Sequence, residues 1–276
     1  LYKICLFGLA LFVFDKLFYP IIHYAPDYEV DQRLEKVVNG EINTDILILG
    51  SSRGSRNVSA ELLEEKLGVD SYNLSYQGSD IEFHEFLLRS VLEFNRCPQH
   101  VLLVVDPSEL LPDESIKFRL DRMYPLVKYN HINDEMIARG EKNLFSHFMV
   151  LGRINKRNFY FEKKQFDEYD SIQENGSMLI QNQREGFDLK YGTHVEPYAI
   201  DDELLLKKNA FWKLQKLCLD NNIQLTLVHS PDLRAPNVAF QQRMTEFSAE
   251  WVDHFYYDDS NPIYKDGHYF FDGAHL

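Results

Sequence analysis

Cysteine is scarce in this chain of 276 residues. Cys5, Cys97 and Cys218 stand far apart, and no C-x-x-C pair occurs. Neither a zinc knuckle nor a thioredoxin-type site is expected from that spacing, and the three read as free thiols. Basic residues are in deficit: 29 Lys and Arg face 43 Asp and Glu, for a net charge of −14. A nucleic-acid partner requires a concentrated basic surface, so none is expected. The phosphate-binding signatures are missing too. Gly50 and Gly54 are too close for a P-loop, no lysine follows them, and no G-x-G-x-x-G occurs. No H-E-x-x-H or calcium-loop pattern organises Asp258, Asp259, Asp266 and His268, so neither a metal nor another cofactor is expected. Repeats and low-complexity tracts are absent. What remains is 45% hydrophobic and 14% aromatic, the composition of a globular chain with a sizeable core.

The first stretch, LYKICLFGLALFVFDKLFYPII, is apolar from Ile4 to Phe14, carries Asp15 and Lys16, and resumes through Ile22. About twenty helical residues span a bilayer core, so residues 1–22 read as an N-terminal membrane anchor. The two charges leave a buried amphipathic helix open as the alternative. No A-x-A cleavage site follows. The chain has no initiator methionine and is expected to be part of a longer one. If the helix spans, Lys3 lies on the cytoplasmic side and the bulk of the chain is exported. Residues 23–44 are polar and read as a linker.

From Asp45 strands and helices alternate. DILILG, DSYNLSYQG, HVLLVVDPSEL, IQLTLVHSP and VDHFYYDD read as strands or strand ends. NVSAELLEEKLG reads as a helix capped by Ser59 and ended by Gly68. DIEFHEFLLRSVLEFN, DDELLLKKNAFWKLQKLCLDNN and NVAFQQRMTEFSAEW read as further helices, with Phe211, Trp212, Phe240, Phe247 and Trp251 taken as core. Residues 113–200 break the rhythm and read as a helical insertion. The alternation predicts an α/β three-layer sandwich around a mostly parallel five-stranded sheet. Ligands of such sheets bind at the carboxyl ends of the strands. Polar residues gather there: Ser51 and Ser52, Asn73 to Gly78, Asp106 to Ser108, His229 and Ser230, and Asp258 and Asp259.

The first strand runs into GSSRGSR. Gly50 to Gly54 fits G-x-S-x-G, but only one strand precedes it, which argues against the α/β-hydrolase arrangement. A tight turn out of a strand still exposes a serine hydroxyl. A serine needs a base to become a nucleophile, and the base needs an orienting partner. FFDGAHL at the far end offers Asp272 and His275, three residues apart. Taken alone, that pair also fits a turn-capping acid and a surface histidine.

A serine after the first strand combined with D-x-x-H after the last resembles the SGNH, or GDSL-like, hydrolase superfamily. ILGSSRGSR and YFFDGAHL look most like a membrane-anchored bacterial branch, akin to proteins that move acyl groups onto teichoic acids or alginate. The resemblance covers residues 45–276 through short blocks and implies a flavodoxin-like sandwich. It implies Ser52 as nucleophile, with Asp272 and His275 completing a triad. It also implies an oxyanion hole from the Ser52 and Gly78 amides, although Gly78 equally fits a loop glycine needed for backbone geometry. The family's G-x-N-D block is missing. VVDPSEL stands there, with Ser108 near the asparagine position as the candidate third oxyanion donor. The family usually continues past D-x-x-H into a further helix. Arg53 and His229 are candidate substrate contacts. His229 is also an alternative base, and Arg53 has an alternative role in pairing with a neighbouring acid. The function implied is a serine esterase or O-acyltransferase on acyl esters of cell-envelope carbohydrate, exported and membrane-anchored. A membrane-bound acyltransferase would be its partner if the reaction is transfer. The alternative is a catalytically inactive binding or assembly protein on the same fold.

Overall fold

The structure is a computed structural model that describes residues 2–108, 110–112, 117–166, 169–180 and 188–276. Parts of the expected insertion, residues 113–116, 167–168 and 181–187, lie outside the described residues, as does Glu109 of the VVDPSEL segment. The chain divides into two compact units, one of residues 1–39 with 119–166 and the other of residues 40–118 with 167–276. The segment expected as a single insertion is thus shared between them.

The regular elements among the described residues of the first unit are all helices. Helix α1 (Tyr2–Lys16) is apolar around its whole circumference and buries only Asp15. An amphipathic core helix would bury one face instead. The helical run Tyr2–Tyr28 is long and apolar enough to cross a membrane, with a mean hydropathy of 1.8. It is compatible with membrane association. Asp15 interrupts this run for a structural reason. Its carboxylate accepts the Val150 N–H at 2.7 Å and the Leu151 N–H at 2.8 Å, the first amides of the short helix Val150–Arg153. Such amides have no partner within their own helix. Lys16 completes the clasp by donating to the Phe148 carbonyl at 2.7 Å.

The second unit carries a five-stranded, wholly parallel sheet in the order β2-β1-β3-β4-β5. The strands are β1 (Ile46–Leu49), β2 (Ser71–Asn73), β3 (His100–Val105), β4 (Gln224–His229) and β5 (Asp253–Tyr256). The helices are α2 (Ser52–Asn57), α3 (Ala60–Leu67), α4 (Ile81–Phe94), α5 (Leu205–Asp220) and α6 (Val238–Phe247). This is the three-layer sandwich expected from the alternation, and it is consistent with the flavodoxin-like form that the resemblance implies. Strand side chains point alternately to the two faces. Ile46 and Ile48 join Val104 and Ala60 of α3 on one face, while Leu47 and Leu49 point to the other. α4 presents Phe83, Phe86, Leu87 and Val91 to the core, and α5 presents Phe211, Leu214 and Cys218. Trp212 corrects the expected core, since it is 48% exposed beside the buried Phe211. Neighbours on a helix lie about 100° apart around its axis, so both cannot face inward at one contact.

The strand order reverses direction between β1 and β3. In open parallel sheets that switch point opens a crevice at the carboxyl ends. The residues after β1, Ser51 to Arg53, and those after β3, Asp106 to Ser108, flank it.

Candidate active site

Ser52 opens α2 immediately after the β1 turn. The helix packs closely because residue 54 has no side chain. A Cβ on Gly54 would lie 2.5 Å from Ser75 Oγ and 2.9 Å from Ser75 Cβ. Gly54 therefore has a packing role, unrelated to a nucleophile elbow. Asn73, at the end of β2, reinforces the contact by donating to the Gly54 and Val58 carbonyls, each at 2.8 Å.

His275 meets Ser52 from the other end of the chain, with Nε2 2.8 Å from Ser52 Oγ. Its Nδ1 lies 2.8 Å from Asp272 Oδ2 and 3.0 Å from Oδ1. A carboxylate only accepts, so it fixes the proton on Nδ1 and leaves the Nε2 lone pair facing the serine hydroxyl. Asp272 also accepts the Ala274 and His275 amides, at 2.8 and 3.0 Å, and so shapes the turn that carries the histidine. Burial works to raise the Asp272 pKa. The hydrogen bonds from the His275 ring and the Ala274 amide outweigh it and bring the carboxyl down to about 2. It is ionised throughout the neutral range.

Asn57, at the last turn of α2, holds the C-terminal loop in register. Its Nδ2 donates to Ser230 Oγ at 2.8 Å and to the Ala274 carbonyl at 3.1 Å, and its Oδ1 accepts the Leu276 amide at 3.0 Å. One side chain on the serine's own helix thus grips both sides of His275. Asp170 links the helix to the Gly78 loop, accepting from Arg56 Nη2 at 2.6 Å and from Gln77 Nε2 at 3.0 Å. Neither residue stands out in the sequence, because neither belongs to a motif.

Gly78 takes a left-handed conformation at φ 65°, which favours glycine. The Tyr76 amide and the Ser79 hydroxyl both donate to the Gly50 carbonyl, at 3.0 and 3.3 Å, and tie this loop to the turn before Ser52. Among the described residues, no acceptor takes the Ser52 or Gly78 N–H. Ser108 differs, since its amide and its hydroxyl both donate to Asp106 Oδ1, at 3.0 and 2.8 Å.

Arg53 is held between two acids, with Nε donating to Asp106 Oδ2 at 2.7 Å and Nη2 to Asp232 Oδ2 at 2.8 Å. His229 is buried at the end of β4, its ring 4.4 Å from that of Tyr256 and its Nε2 3.4 Å from His254 Nδ1. Burial first, and the neighbouring His254 second, push its pKa down to about 4. The histidine in contact with Ser52 is His275. Among the described residues, no group of three or more His, Cys, Asp or Glu side chains is arranged to hold a metal ion.

Comparison with protein-family models, curated proteins and solved structures found no match to the chain.

Proposed function

We propose that the protein is a serine esterase or O-acyltransferase of the SGNH type, acting on acyl esters of cell-envelope carbohydrate. The reading rests on one observation: the continuous hydrogen-bonded chain from Ser52 Oγ through both ring nitrogens of His275 to Asp272. Ser52 Oγ attacks the ester carbonyl as its proton passes to His275 Nε2. The carbonyl π pair moves onto oxygen, and the Ser52 and Gly78 amides receive the oxyanion. Asp272 stabilises the imidazolium that forms. The tetrahedral intermediate then expels the alcohol, which takes the proton from Nε2, and an acyl-Ser52 ester remains. His275 next deprotonates the acceptor, which attacks the acyl carbonyl. The intermediate collapses to free Ser52, whose oxygen recovers the proton. Water as acceptor gives hydrolysis, and a sugar hydroxyl gives transfer. We place α1 in a bilayer and the catalytic unit on the exported side.

Ser52→Ala tests the reading. It should lower turnover of a small acetyl ester by at least about a thousandfold, with the circular dichroism spectrum and melting temperature retained. Full turnover in a folded variant would overturn it. One observation favours the non-catalytic alternative: Ser108, in place of the missing block, spends both its donors on Asp106. The alternative requires that the wild-type protein turn over no ester at all.

A further inference from the structure

A cavity of about 250 Å3 opens in the second unit beside the segments that follow β3 and β4. Arg53, the residue after Ser52, is on its lining. The segment after β4 also lines it, and there Ser230 receives the Asn57 amide. An arginine in this place suggests a seat for an anionic substrate group, but its surroundings argue otherwise. Asp106 and Asp232 already hold the guanidinium, and the three side chains are only 13%, 5% and 18% exposed. One cation between two carboxylates leaves this inner part of the lining net negative. Farther out, exposed Glu196 and Asp202 outnumber exposed Arg234. His229 adds no positive charge at neutral pH, because burial and His254 push its pKa down to about 4. Tyr257 stays a neutral phenol, pushed up to about 12 by burial and the nearby Asp232. The half-buried Tyr198 and Tyr257 supply aromatic surface.

We infer that this cavity receives the neutral, hydroxyl-rich sugar that carries the ester, and discriminates against sugars bearing carboxylate or phosphate groups. Carboxylates accept from sugar hydroxyls, and aromatic rings cover the apolar faces of a pyranose. An anionic sugar would bring like charge against Asp106 and Asp232 in a partly desolvated site, which is a repulsive element of specificity. Arg53 then acts by arranging those two carboxylates and makes no contact with a substrate anion. The inference rests on the reading of Ser52 as the nucleophile for a carbohydrate ester.

Direct binding to the full-length Ser52→Ala protein tests it, with an O-acetylated xylo-oligosaccharide compared with an O-acetylated oligogalacturonide of equal length. At low salt the neutral oligosaccharide should bind at least about tenfold more tightly. Asp232→Asn in that background should narrow the ratio, and Arg234→Glu on the exposed rim should widen it. Equal or tighter binding of the uronate, failure of both to bind, or a ratio unmoved by both variants would overturn the assignment. Because the readout is binding, a wild-type protein without esterase activity refutes the proposed chemistry and leaves this test standing.

Discussion

Asp272 reaches His275 across a single turn, and its carboxyl is brought down to about 2 by contacts that outweigh its burial. At working pH it therefore serves as an ionised acceptor that fixes the imidazole tautomer. Aiming the ring at Ser52 is a separate task, and Asn57 performs it from the serine's own helix. Asn57→Ala should lower kcat on a small acetyl ester by about a hundredfold, the usual cost of misplacing a catalytic group by about 1 Å. KM should change little, and the Ser52 side chain should stay in place. Steady-state kinetics on a variant that still melts cooperatively checks this, and an unchanged kcat would contradict it. The two residues differ in how far the sequence reveals them. Asp272 and His275 stand three apart in one turn, so their pairing is visible as local spacing. Asn57 meets partners 173, 217 and 219 residues away. An asparagine at a helix end carries no signal of such contacts. Pairing of Arg53 with an acid is among the expectations, but its partner Asp232 is hidden, because it lies 179 residues away.

The elements were readable where burial dictates periodicity. The aliphatic runs became the strands of the parallel sheet, and Ser59 caps α3 by accepting the Leu62 amide at 3.1 Å. The helix read over Asn57 to Gly68 begins later, at Ala60, and the separate six-residue α2 precedes it. Polar GSSRGSR has no apolar period to announce a helix. The contact with Ser75 that shapes it is tertiary. Asp15 shows the same limit from the other side. Within an apolar run it reads as a flaw in a spanning helix, whereas its carboxylate caps another helix of the first unit. Asp15→Ala removes the acceptor from two backbone amides and should destabilise the protein by about 1–2 kcal/mol. Asp15→Asn, which keeps one acceptor oxygen, should cost less. Denaturant unfolding in detergent micelles measures both, and equal stability of wild type and Asp15→Ala would contradict the capping role.

At the scale of the whole molecule, pH couples stability to two buried histidines. Burial foremost pushes His84 down to about 3, and burial with the His254 ring pushes His229 down to about 4. Unfolded histidine titrates near 6.5. Below that value the unfolded chain binds protons that the native chain does not, so native stability falls as pH falls. The stabilisation is complete above about pH 6.5 and is lost progressively toward about 4 and then 3, at up to about 1.4 kcal/mol per pH unit for each histidine. Denaturation midpoints should drop between pH 7.5 and pH 5, and His84→Gln should flatten that slope. A wild-type midpoint independent of pH would contradict the burial of neutral rings. Asp272 enters only below about pH 4, where its unfolded form protonates and its native form does not. Ser52 stands at the switch point of the sheet. The most direct test exposes the full-length protein in detergent to a fluorophosphonate probe and maps the adduct by mass spectrometry. The account predicts one adduct, on Ser52, formed at neutral pH and absent after Ser52→Ala. A folded protein that acquires no adduct, or carries it on another serine, would contradict it.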